Sequence, residues 1–184
     1  MSLQAERLKR INPSMTVAIN VKANALRAEG KDVLVLAAGE PDFDTPLNIR
    51  NAAKKAMDDG KTRYVPGKGT SDLQSAIINK FKRDNDISYS KEEIMVGVGG
   101  KHIIYNAMMA TLNPNDEVII PAPFWVSYPD IVLLAEGKPV IVKCDSDQNF
   151  KITPSQLEKN ISNKTKWLML NSPSNPTGAI YSNQ

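Results

Sequence analysis

The sequence predicts an α/β fold: a mostly parallel sheet with flanking helices. Three observations carry that prediction. First, strand-like apolar runs at 94–98, 118–120, 140–142 and 167–170 alternate with helical patterns at 101–112, 128–136 and after Thr153-Pro154. Strands separated by helices run parallel, joined by right-handed crossovers. Second, loop-forming residues follow three of these runs, at Gly99-Gly100, Pro121-Ala122-Pro123 and Asn171 to Gly178. Those are the carboxyl ends of strands, where open α/β sheets bind ligands. Third, 184 residues at 41% hydrophobic and 23% charged suffice for one domain with a real core.

Taken in order, residues 1–13 form a polar arm, expected to be a loose terminus if nothing holds it. Ser14 is a candidate cap for a helix running to Glu29. Val17, Val21 and Ala25 mark one face of it, and Gly30 stops it. Residues 33–36 are a short strand candidate, and Gly39 opens the next loop as a plain turn or a close approach to a ligand. Thr45-Pro46 starts a second helix, with a capping hydroxyl followed by proline. Ile49, Ala52, Ala53, Ala56 and Met57 follow at helical spacing, and Gly60 ends it. Tyr64 precedes a Pro-Gly-x-Gly loop and by itself reads as a surface tyrosine. A third helix fits 71–85, with Leu73, Ala76, Ile77 and Phe81 inward. Residues before about 46 look like part of a second, smaller unit, so the expected division is 1–45 and 46–184.

From Glu93 the alternating pattern begins. The apolar residues of helix 101–112 cover most of its surface, which predicts deep burial. The turn at Gly99-Gly100 opens that helix. Amides at a helix N-terminus are unpaired and carry partial positive charge, which suits a phosphate. Two nucleotide motifs fail there. A Walker loop needs serine or threonine after Gly100-Lys101, and His102 stands in that place. A dinucleotide fingerprint begun at Gly97 and Gly99 needs a third glycine, again where His102 stands. His102, the single histidine, reads as a helix-surface residue, and one histidine with one distant cysteine makes no metal site.

Pro123-Phe124-Trp125 follows the run 118–120, and an aromatic there packs in a core or interface, or stacks on a flat ring. Cys144 excludes an internal disulfide, suits a reducing compartment, and reads as an inert small residue. In Asn171-Ser172-Pro173-Ser174-Asn175-Pro176-Thr177-Gly178 two prolines bracket Ser174-Asn175. The stretch is a turn, or a frame that aims the Asn175 amide at an anionic or phenolic oxygen. Net charge is +3 with no basic run, so no nucleic-acid partner is implied. No apolar run reaches the length of a membrane span, and the first thirteen residues lack the apolar centre of a signal peptide. The cytoplasm is the expected compartment.

The motifs together resemble one family. Asn-x-Pro-x-Asn-Pro-Thr-Gly at 171–178, Gly39-Glu40-Pro41-Asp42-Phe43, Tyr64 to Gly69, Gly99-Gly100-Lys101 and 123–129 match, in order, the segments of class I aminotransferases, the fold-type I enzymes that use pyridoxal phosphate. The likeness is strongest to the bacterial aspartate aminotransferase branch. It implies a truncated fold-type I large domain preceded by an arm that packs on a partner subunit and part of a small domain. It further implies that Gly99, Gly100 and Lys101 hold the cofactor phosphate. Trp125 stacks on the ring and contacts a substrate carboxylate, Asn175 bonds the phenolic oxygen, and Gly39 contacts the substrate carboxylate. Tyr64 reaches the cofactor phosphate of the other protomer in a homodimer. The implied reaction passes the amino group of L-aspartate to 2-oxoglutarate. Tryptophan at 125 is similar to the aspartate-using branch and speaks against a carbon–sulfur lyase of the same fold. Aromatic, alanine and prephenate aminotransferases are the alternatives. Arg10-Ile11-Asn12-Pro13-Ser14 resembles the prephenate-accepting members except at Asn12, where they carry lysine. No position matches the lysine that forms the Schiff base, so no catalytic residue is assigned. The 184 residues are expected to be a front half, inactive alone, or else a non-catalytic binding domain.

Overall fold

The computed structural model describes residues 3–36, 39 and 41–182. Met1, Ser2, Ala37, Ala38, Asn183, Gln184 and Glu40 of the early loop motif lie outside the described residues. The chain divides into two compact units, one of residues 1–14 and 99–184, the other of residues 15–98.

In the first unit, α4 (Gly100–Thr111), β1 (Glu117–Ala122), α5 (Ser127–Leu134), β2 (Lys138–Lys143), α6 (Pro154–Asn160) and β3 (Thr165–Leu168) follow one another. Labels α1 to α3 belong to the other unit. The strands form a parallel sheet of order β2-β1-β3, as the alternation predicted. Glu117 faces Lys138 and Ala122 faces Lys143 across β1–β2. On the other side Ile119 faces Leu168, and the Met169 N–H donates to the Ile119 carbonyl at 2.9 Å. A central strand seldom tolerates proline, yet Pro121 sits in β1. Residues two apart point their backbone groups the same way, so its missing N–H falls on the β3 side, past that pairing.

Val118, Ile119 and Ile120 are fully buried, so both faces of β1 are covered, as in parallel sheets generally. Met108 and Leu112 pack with Val118, Ile120, Tyr128, Ile131, Val132 and Ala135 in one core. At the end of α5, Glu136 takes a left-handed φ of 66°, and the Gly137 N–H closes on the Val132 carbonyl at 2.9 Å. A Cβ on Gly137 would lie 2.9 Å from Leu112 Cδ1, so glycine is required for the close approach. The predicted start of α6 holds: Thr153 and Gln156 form a reciprocal capping box, with Pro154 in the first turn. The arm is not a loose terminus. A 3₁₀ turn at Glu6–Arg10 lies on α5, and Arg10 donates to the Leu133 carbonyl and to Glu136.

In the second unit, α1 (Met15–Ala28), α2 (Leu47–Asp58) and α3 (Ser71–Asn85) form close to their predicted ranges. Their faces differ from prediction. Ala23 is the buried residue of α1, while Val17 and Val21 are exposed. In α3 the buried residue is polar: the Gln74 amide donates to the carbonyls of Ile94 (2.9 Å) and Lys91 (3.3 Å), while Leu73 and Ala76 are exposed. The Ile94 carbonyl rewards a donor where a leucine would leave it without this bond. Pro46, not Thr45, occupies the N-cap of α2, and no side chain caps it.

Two strand candidates, 33–36 and 94–98, are not strands. A run of β-formers becomes a strand only when a neighbour takes its N–H and C=O groups. Residues 33–36 do line one groove with α1, and Arg27 takes the Val33 carbonyl. In the other run, the Val96 N–H donates to Lys68 and the Ile94 carbonyl accepts from Gln74. Helix α4 is half-buried rather than deeply buried, with Met108 as its buried residue. No helix among the described residues is long and apolar enough to cross a membrane.

Candidate functional site

In the first unit, Trp125 follows β1, Asn175 follows β3, and Gly99-Gly100 open α4. At the start of α4, Gly99 occupies the N-cap with φ 91°, a left-handed value that glycine adopts without strain. Nothing lies within 4 Å of where a Cβ would stand on Gly99 or Gly100. The N–H groups of Gly100 and Lys101 take no acceptor among the described residues. This is an open turn with outward amides at the positive end of a helix dipole.

Lys101, beside that turn, carries its ammonium to Trp125. Its Nζ stands 4.9 Å above the Trp125 ring, where the indole face offers negative potential. Trp125 is half-buried and meets Tyr128 edge-on, with centroids 5.5 Å apart. The indole plane is therefore held from two sides. Burial pushes the Tyr128 phenol above its usual range, so it stays protonated. Burial likewise pushes the Cys144 thiol up; that residue is 2% exposed and donates to the Val142 carbonyl, which suits the inert role expected of it. His102 lies exposed on α4, with its ring 3.0 Å from the Asn106 amide.

Tyr128 also lines a pocket with Phe124, Phe150, Asn171, Asn175 and Tyr181. The loop after β3 closes around this pocket through its own hydrogen bonds. Asn171 Oδ1 accepts from the Asn175 N–H at 2.8 Å, and the Ser174 carbonyl accepts from the Gly178 N–H at 2.8 Å. The prolines therefore do not act alone on Asn175; Asn171 fixes its backbone by a local Asx bond. The Asn175 side-chain amide makes no hydrogen bond among the described residues, which leaves it available to a ligand oxygen. Sequence reasoning gave Asn171 no role, although an asparagine four residues before Asn175 was a usable signal. It also passed over Tyr181, for which no local signal exists.

Gly39 and Tyr64 belong to the second unit, and both are exposed. The loop after Tyr64 is a turn in which the Gly69 N–H donates to the Pro66 carbonyl at 2.8 Å. A Cβ on Gly69 would meet Val96 at 2.9 Å.

The donor set of the first unit fits a phosphorylated pyridine: unpaired amides at a helix start, an adjacent lysine, an indole, and an unpaired carboxamide. Comparison with known proteins points the same way. A family model described as "Aminotransferase class I and II" matches residues 31–184. The chain is 55% identical to an aspartate/prephenate aminotransferase of Cereibacter sphaeroides over 98% of its length and 45% of that protein. A crystal structure of the aspartate aminotransferase from Rhizobium meliloti superposes with a TM-score of 0.95 at 48% identity, covering 99% of this chain and 46% of that one. The Thermus thermophilus aspartate aminotransferase with maleate superposes with a TM-score of 0.95 at 44% identity, covering 100% and 48%. The chain thus spans about half the length of the relatives it matches.

Proposed function

We infer function from one premise: the chain belongs to the class I and II aminotransferase family. The full-length protein passes the amino group of L-aspartate to 2-oxoglutarate through pyridoxal phosphate, as a cytoplasmic homodimer. The observation that carries this reading is the open Gly99-Gly100 start of α4 together with the unpaired Asn175 amide, in a chain of this family.

When bound, pyridoxal phosphate supplies a conjugated ring that takes up electron density from the substrate α-carbon. The chain's own residues bind and orient it. The amides of Gly100 and Lys101 receive the phosphate, and the α4 dipole favours its charge. Trp125 fixes the ring plane. The Asn175 carboxamide donates to the phenolic oxygen and stabilises its anionic form. Phe124, Tyr128 and Phe150 keep water from that side of the pocket. Gly39 meets the substrate carboxylate, and Tyr64 serves the partner's phosphate site. The division into a small-domain part at 1–45 and a large-domain part at 46–184 belongs to this reading. So does inactivity of residues 1–184 alone, because Lys101 is engaged with Trp125 and no other lysine is assigned to proton transfer.

The test is a half-reaction assay on the full-length protein with aspartate and 2-oxoglutarate, beside mass spectrometry after borohydride reduction. One reduced cofactor per chain and conversion of both substrates are expected. Asn175→Ala should weaken cofactor binding about 10- to 100-fold, the worth of one hydrogen bond to a charged group. A full-length protein that carries no cofactor would sink the reading. A second acceptor, prephenate, is favoured by the 55% identical relative named for both activities. Amino transfer to prephenate at a rate comparable to 2-oxoglutarate would assign it, despite Asn12.

A further inference from the structure

We propose that Tyr181 is a positioning residue for Asn175, a role that rests on the reading of Asn175 given above. Tyr181 sits beyond the Asn-Pro-Thr-Gly motif, yet it ties the loop at two points. Its backbone N–H donates to Ser172 Oγ at 3.1 Å, which closes the loop between residues 172 and 181. Its hydroxyl oxygen accepts the Ile152 N–H at 3.0 Å, which anchors the closed loop to the segment between β2 and α6. Within the loop, the Ser174 N–H donates to the Ala179 carbonyl at 2.9 Å, and Asn171 and Ser174 hold the amides of Asn175 and Gly178. Asn175 is therefore suspended inside a ring of hydrogen bonds whose one tyrosine tether leads out of the loop.

The anchoring segment is itself specially shaped. Asn149 and Phe150 both take left-handed φ, 51° and 57°, with the Phe150 N–H bonded to the Asp145 carbonyl. A bulky aromatic rarely adopts that conformation. Here it brings Phe150 to the pocket wall that Tyr181, Asn171 and Asn175 also line, and presents the next-but-one amide, that of Ile152, to the tyrosine. The carboxamide does the binding, and the tyrosine sets where the carboxamide stands.

The experiment compares full-length wild type, Tyr181→Phe, Ser172→Ala and a matched control, Tyr89→Phe, in the second unit. Amide hydrogen exchange is read at Asn175 and Gly178, with Ile119 and Ile120 of β1 as the reference for general loosening. Loss of one hydrogen bond predicts exchange about 2- to 10-fold faster at Asn175 and Gly178 in Tyr181→Phe and in Ser172→Ala, with β1 unchanged. The control should move none of these amides. In the same variants the pH titration of the bound cofactor's visible absorption should shift upward, because a poorly placed Asn175 stabilises the anionic ring less. Unchanged exchange at both loop amides would overturn the proposal, as would equal acceleration in β1. Local acceleration with an unmoved titration would also overturn it, since the tether would then hold the loop without positioning Asn175. A wild type that binds no pyridoxal phosphate would defeat the functional reading instead, while the exchange measurement would still decide whether Tyr181 holds the loop.

Discussion

The two units bury their apolar residues very differently. In residues 99–184, Val118, Ile119, Ile120 and Val132 are all 0% exposed around one sheet. In residues 15–98, Val21, Leu36, Phe43, Ile49 and Met57 are all exposed, and the buried side chains are Ala23, Gln74 and Ile94. Helices form in both. A helix satisfies its own backbone, so capping and stop signals suffice to set its ends. Gly30 and Gly60 both take left-handed φ and close the ends of α1 and α2 with six-to-one bonds, from Lys31 to Leu26 and from Lys61 to Ala56. Burial needs partners, and among the described residues the first unit assembles far more of them. Local signals and tertiary cover are thus separable here.

The largest expected effect sharpens that contrast. Ile120→Ala should cost about 2–5 kcal/mol in urea unfolding, since it leaves a cavity in a closed core. Both tryptophans, Trp125 and Trp167, lie in the first unit and report its transition by fluorescence. Ile49→Ala in α2 should cost less than about 0.5 kcal/mol in the helical far-UV signal of the 184-residue chain. An equal cost at both sites would break the comparison.

Caps provide the converse, with a smaller effect. Thr153 caps α6 and Thr70 caps α3 by the same bond, a backbone N–H donating to the hydroxyl oxygen at 3.2 and 3.4 Å. Threonine to alanine should cost about 1 kcal/mol at either place, because a cap acts locally. A loss confined to Thr153 would mean that caps too depend on tertiary cover.

The smallest effect is one of pH. Ser162 and Lys138 hydrogen-bond the Glu117 carboxylate and hold it below the usual glutamate range. A carboxyl with a depressed folded value stabilises the fold above its unfolded value, and that gain is lost as pH falls through the folded value. The first unit should therefore weaken in acid below the ordinary glutamate range, and Glu117→Gln should flatten that part of the tryptophan-monitored profile. An unchanged slope would show that other acids dominate.

The fold class, the six α-helices among the described residues and the strands β1, β2 and β3 were legible in the sequence because each is announced by a local pattern. Gly99-Gly100, Trp125 and Asn175 stood out as candidates because they follow strand patterns, where parallel sheets leave open ends. Chain order alone could not say that 33–36 and 94–98 join no strand ladder, because a ladder is made with residues distant in sequence. It could not say that Gln74 is buried, because two carbonyls from beyond α3 decide that. Nor could it set the direction of Lys101, or the tether from Tyr181 to Ile152 across 29 positions. By itself the sequence determined the α-helices and the strands β1 to β3, and it singled out candidate residues for the chemistry. Tertiary structure decided which faces are covered and how Asn175 is held, since burial and long-range hydrogen bonds depend on neighbours that only folding supplies.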